Sequence, residues 1–246
     1  KIWTYLKKDF KVIWRTPAYF TNCLLMVVLF PVMVLAMPLL SQGEGMEAFD
    51  LGILIQTIER SDEFLAYVIF FSLALGFLFG TFNQIAATAI SREGAQYSVM
   101  KYLPMSYRDQ IHAKLLLGVL VGLIADIAMA LSAMLFLPFS WYYYLIFCGC
   151  SAITTLLGNS YSIMLDLAKP KLVWEQEAAA VKQNLGSFIA VMIGMALCIV
   201  LIVVCFFIPQ AWLMVSAFGA LAAMCILALL FYFLAGKYAE RAMRKL

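Results

Sequence analysis

The chain has 246 residues, of which 65% are hydrophobic and only 13% charged, and its mean hydropathy is +0.95. Soluble domains carry roughly a quarter charged residues, so this composition excludes an ordinary soluble enzyme or binding module. Several apolar runs long enough to span a bilayer point instead to an all-α, polytopic membrane protein, and the short alternating segments of a transmembrane barrel are absent.

In chain order, residues 1–16 form an amphipathic helix. Lys1, Thr4, Lys8, Lys11 and Arg15 follow helical spacing on one face, and Ile2, Trp3, Leu6, Phe10, Ile13 and Trp14 cover the other. Lysines beside aromatics describe a helix lying in a membrane interface, its basic face toward anionic headgroups. A first span covers about 18–40, loosened or kinked by Pro31 and Pro38. An acidic loop follows at 41–61, with Glu44, Glu47, Asp50 and Glu59 against Arg60.

Span two covers about 62–88, with Gly76 and Gly80 spaced for close helix packing. Spans three to six are expected at about 113–137, 139–165, 185–208 and 211–236. Pro138 makes a tight turn before the aromatic belt Trp141–Tyr144, and Pro209-Gln210 closes the last hairpin. The loops 89–112 and 166–184 lie on the same side as both termini. With that side inside, 16 of the 17 Lys and Arg residues are inner and only Arg60 is outer. This positive-inside pattern predicts six transmembrane helices with cytoplasmic N- and C-termini.

The six cysteines (Cys23, Cys148, Cys150, Cys198, Cys205 and Cys225) all fall in apolar runs and read as small buried hydrophobes. With His112 the single histidine, no metal, cofactor or catalytic constellation is expected in this chain. Asp126 is the one charge near the middle of a span. It must be paired, hydrated or protonated. It reads either as a proton or cation site, or as a neutral packing residue bonded to Thr154 or Thr155. Asn83, Gln84, Asn159 and Ser160 read as helix–helix hydrogen-bonding groups or as the lining of an inner vestibule.

The stretch 91–114, SREGAQYSVMKYLPMSYRDQIHAK, carries the functional argument. Gly94 permits a sharp change of direction. Residues 95–103 form a short surface helix stopped by Pro104, and Ser106-Tyr-Arg-Asp109 has capping-box spacing for the helix that becomes span three. A stiff helix tied to two spans can pass a push to both. An ordinary interfacial loop would look similar by residue type alone. In the second loop, residues 173–183 are expected to be helical.

This run resembles the inner loop of ABC-2 type export permeases, the membrane subunits of ABC transporters. The matching features are Glu93-Gly94, Leu103-Pro104-Met105-Ser106 and Lys114-Leu115-Leu116, with Arg15-x-Pro17 similar to that family's connecting helix. The second loop, Lys169-Pro170-Lys171-Leu172-x-Trp174-Glu175 and Lys182-Gln183-Asn184, resembles an exporter branch of Gram-positive bacteria whose chains often hold two six-span halves. The lysine at position 1 fits a C-terminal half of such a chain. One departure is the Pro209-Gln210 hairpin, which leaves no room for the re-entrant helices that some members carry there.

The resemblance implies a non-enzymatic permease of the bacterial cytoplasmic membrane. A separate cytoplasmic ABC ATPase subunit would bind ATP and Mg, since no Gly-x-x-x-x-Gly-Lys-Ser/Thr occurs here. Residues 93–103 would be its coupling helix. The implied ATPase contacts are Arg92, Glu93, Tyr97, Met100 and Lys101, with Trp174 and Glu175 as a second patch. A second six-span unit and membrane lipids are the other implied partners, with no nucleic acid. Apolar spans favour a hydrophobic or amphipathic cargo. The competing readings are a non-transporting scaffold that binds an ATPase and a lipid-modifying enzyme.

Overall fold

The computed structural model describes residues 2–25, 27, 29, 31–33, 59, 61, 63–137 and 139–244. Among these the chain is helical, without strands. Residues 26, 28, 30 and 34–40 of the expected first span, most of the acidic loop and Pro138 lie outside the described residues. The helices are α1 (Ile2–Arg15), α2 (Pro17–Tyr19), α3 (Phe64–Phe82), α4 (Tyr97–Tyr102), α5 (Tyr107–Phe136), α6 (Trp141–Ala168), α7 (Glu177–Lys182), α8 (Leu185–Phe207) and α9 (Gln210–Met243). A π-helical stretch, Phe20–Leu25, follows α2, and a 3-10 turn, Ser91–Gln96, precedes α4.

Five of the described helices are long and apolar enough to cross a membrane: α3, α5, α6, α8 and α9. The chain is a multi-pass membrane protein. Helix α6 is central and packs on the other four. Its closest approach is to α3, where glycines let backbone meet backbone. A Cβ on Gly76 would lie 2.3 Å from the Ser151 carbonyl oxygen, and one on Gly80 would lie 2.7 Å from that of Thr155. The expected small-residue pair therefore sets this interface.

Helix ends follow local chemistry. Ser106 Oγ accepts the Asp109 N–H at 3.1 Å, so α5 begins at Tyr107, six residues before the expected span. Leu103, held extended before Pro104, stops α4. Asn184 Oδ1 accepts the N–H groups of Gly186 and Ser187 and starts α8. Helix α9 runs past residue 236 through the basic tail to Met243. The second loop is less helical than expected, since α7 covers only Glu177–Lys182.

The largest departure is in span two. A continuous helix over 62–88 is expected, but α3 stops at Phe82, and Gln84 adopts a positive φ of 54°. Residues 85–91 then run as turns, every one of them fully buried. Buried irregular backbone needs partners for its N–H and C=O groups, and side chains supply them. Ile85 N–H donates to Asn83 Oδ1 at 2.9 Å, and the Ile85 carbonyl accepts from Arg92 Nη1 at 2.9 Å. The Gln84 carbonyl accepts from Thr88 Oγ1 at 2.7 Å.

Candidate functional site

The basic segments gather at one end of the bundle, where two polar clusters tie them together. The first forms around Lys114 on α5. Helix α1 lies along α5 and buries Tyr5, Leu6, Asp9 and Ile13, a stripe at helical spacing with an acid in its middle. Lys114, only 2% exposed, donates to Asp9 Oδ2 at 2.8 Å and to Glu93 Oε1 at 2.5 Å. Lys8 Nζ closes the rim, 3.5 Å from Glu93 Oε2 and 3.7 Å from Asp9 Oδ1. Two cations thus balance two carboxylates contributed by three segments of the chain.

Burial pushes the Glu93 carboxyl up, but the charge and hydrogen bond of Lys114, with Lys8 and Arg92, outweigh it and hold the group below its ordinary value. The Tyr5 ring lies under Lys114 at 5.4 Å, and burial pushes its hydroxyl up to about 12.

The second cluster forms around Asp166, in the last turn of α6, where the helix dipole disfavours an anion. Four donors offset this. Its Oδ2 accepts the N–H groups of Ile90 at 2.6 Å and Ser91 at 3.1 Å. Its Oδ1 accepts from Ser91 Oγ and from Asn184 Nδ2. Ser91 also accepts the Lys171 N–H on Oγ at 2.8 Å and the Trp174 indole N–H on its carbonyl at 2.9 Å. The two loops therefore meet at one serine.

Gly94 sits under the Trp174 ring with a φ of 51°, and a Cβ there would lie 2.7 Å from the indole. Both the turn and the close contact require glycine.

The structure sorts the expected contact residues. Lys101 and Glu175 are exposed. Tyr97 and Met100 are not available on the surface: they are 6% and 1% exposed and pack toward α9, with the Tyr97 hydroxyl 3.3 Å from Met243 Sδ. The reason is that the apolar face of α4 meets the bundle. Glu93 is engaged by Lys114, and Arg92 Nη1 by Ile85 O and Thr88 Oγ1. Trp174 is half-buried against Gly94. The outward face of α4 is Ser98, Val99, Lys101 and Tyr102, with Val173 also exposed. Tyr102 is 87% and Val173 89% exposed.

Asp9, Lys114, Asp166 and Asn184 were not expected as site residues. Asp9 carried a signal as an acid on the apolar stripe of α1, and Lys114 and Asn184 stood in the matching motifs without an assigned role.

Farther along the bundle, Asp126 is buried, and Thr155 Oγ1 lies 2.8 Å from its Oδ2 and 2.9 Å from the Gly76 carbonyl oxygen. A hydroxyl has one proton to give. Both contacts are satisfied when Asp126 is protonated and donates to Thr155, which donates to Gly76. The Asp126–Thr155 contact is the one expected of a packing residue. Asn83 Nδ2 donates to the Gly118 carbonyl at 3.0 Å and to Asn159 Oδ1 at 3.3 Å, so these amides join helices. At the other end of the bundle an apolar groove of about 640 Å³ opens between α3, α5 and α6, lined by Phe64, Tyr67, Phe71, Met129, Tyr143 and Phe147.

Among the described residues no group of His, Cys, Asp and Glu is placed to hold a metal. No family model, curated protein or solved structure matches this chain.

Four outcomes are expected. Lys114→Met strands two buried carboxylates and costs about 3–5 kcal/mol in thermal or denaturant unfolding, most of it recovered by adding Asp9→Asn and Glu93→Gln. Because Glu93 is held below its ordinary value, its contribution is present at neutral pH and fades as pH falls below about 4.3. Asp126→Asn keeps the wild-type unfolding midpoint and removes the infrared carbonyl band of a protonated acid. Thr155→Val lowers stability by about 1–2 kcal/mol.

Proposed function

We propose that this chain is the membrane-spanning permease subunit of an ATP-driven ABC exporter in a bacterial cytoplasmic membrane. A separate ATPase subunit binds ATP and Mg on the cytoplasmic side, and a second six-span unit completes the translocation path. The observation that carries this reading is the mounting of α4. Its outward face is free, while both its flanks are tied into the bundle. Upstream, Ser91 is bonded to Asp166 and Glu93 to Lys114. Downstream, Gln110 Nε2 on α5 donates to the carbonyls of Met100 and Met105, each at 3.1 Å.

A force on Val99, Lys101 and Tyr102 therefore passes to α5 through Gln110 and Lys114. It passes to α6 through Asp166, and to α3 through the buried segment 85–91. Closure of the ATPase pair supplies that force, and the response is a change in how α3, α5 and α6 pack. Such a relay converts a conformational change outside the membrane into one within it, with no chemistry in this chain. The apolar groove beside α3, α5 and α6 supports a hydrophobic or amphipathic cargo.

The test is co-purification with the candidate ATPase, comparing wild type with Val99→Asp plus Tyr102→Glu. Both side chains are exposed, so the variant is expected to fold and insert normally and to lose the ATPase. Retention of the ATPase by that variant overturns the assignment of the contact face. Retention with no substrate movement by wild-type protein in vesicles favours the scaffold.

A further inference from the structure

Helix α1 has three sides. One, Tyr5, Leu6, Asp9 and Ile13, is buried against the bundle. The second is aromatic: Trp3 and Trp14 are 58% and 59% exposed and Phe10 is 39% exposed, with Phe10 and Trp14 stacked at 6.0 Å. The third is cationic: Lys7, Lys8, Lys11 and Arg15 are exposed and line an open surface groove with Thr4 and Thr16. Asp9, the one acid of this helix, is buried. Lys8 faces Glu93, and among the described residues Lys7, Lys11 and Arg15 make no ion pair.

This arrangement is independent of the exporter reading. Free cations beside exposed tryptophans on one short helix match the two layers of a membrane surface, charged phosphate above and acyl boundary below. The helix is also fixed in place. It leads through Thr16-Pro17 into α2 and the π-helical stretch, and Asp9 pins it to Lys114. Neither its position nor its rotation is free to be chosen by a partner.

We propose that α1 is a docking surface for anionic phospholipid headgroups. Lys7, Lys11 and Arg15 take the phosphates while Trp3, Phe10 and Trp14 sit in the boundary layer. Because the opposite side of the same helix carries Asp9, headgroup binding also holds the Asp9–Lys114–Glu93 cluster in register. Loss of anionic lipid releases a restraint on the loop that bears α4. The occupant is a lipid surface, because cations flanking exposed tryptophan rings match a phosphate layer above an acyl boundary.

The test uses the full chain in phosphatidylcholine vesicles containing a minor share of brominated phosphatidylglycerol or, in parallel, brominated phosphatidylcholine. Bromine quenches nearby tryptophan, and the part of the quenching lost in Trp3→Phe plus Trp14→Phe belongs to α1. Each cation near an anionic surface gains about fivefold in attraction. The expected result is stronger quenching of that part by phosphatidylglycerol than by phosphatidylcholine. The preference falls toward equality in Lys7→Gln plus Lys11→Gln plus Arg15→Gln. It also falls in the unmodified protein at about 1 M salt, where the screening length is roughly 3 Å.

Equal quenching by the two lipids in wild type overturns the proposal, because the helix is then interfacial but blind to charge. So does a preference that survives in the triple variant, which places the attraction in the other basic segments. Absence of quenching at Trp3 and Trp14 overturns it as well and assigns the face to a protein partner.

Discussion

Everything at the basic end of this bundle depends on one lysine being buried with two acids. Lys114 leaves water almost completely, and so do Asp9 and, to a lesser degree, Glu93. Ion pairs of this kind give back in Coulomb attraction about what they lose in hydration, so their net contribution to stability is small. What they do provide is intolerance of rearrangement. If α1 rotates or the loop at Glu93 slides, a buried charge is left alone at a cost of several kcal/mol. The cluster acts as a positional lock that ties α1 to the turn before α4 and to α5, with Asp9 and Lys114 105 residues apart in sequence.

The second constraint is the unwound backbone after Phe82. A helix can cross apolar surroundings because its own ladder satisfies its peptide groups, whereas an irregular segment must borrow partners. Here Asn83, Thr88 and Arg92 act from within the segment, and Asp166 acts from α6. The result is a rigid but non-helical connector between α3 and α4, with each end answering to a different helix. In the proposed exporter this is where force on α4 divides between α3 and α6. A continuous helix would transmit along its own axis instead.

Elements whose rules are local were legible in the sequence. The Ser106 cap, the stop at Pro104, the glycine turn at Gly94, the Gly76 and Gly80 contact and the apolar helices all follow from neighbouring residues. The pairing of Asp126 with Thr155 followed from matched depth in adjacent spans. The break at residue 83 was hidden because the run from Ile85 to Ile90 is apolar and compatible with a helix. At the break Asn83 accepts the Ile85 N–H and reaches Gly118 and Asn159 on other helices, and Asp166 supports the far end of the unwound segment. The assignment of Tyr97 and Met100 to a surface failed for a related reason. An apolar face on a short helix does not say whether the bundle or a partner covers it, and here the end of α9 does.

The most direct measurement is hydrogen–deuterium exchange on the full chain in lipid, wild type against Lys114→Met. The account predicts that exchange rises together in residues 2–15 and 91–102 while the α3–α6 interface stays protected, because one lock releases two elements. A rise confined to the immediate surroundings of residue 114, or no rise in α1, would contradict it. The Asp9–Lys114–Glu93 cluster would then be a consequence of the packing at this end of the bundle and not its cause.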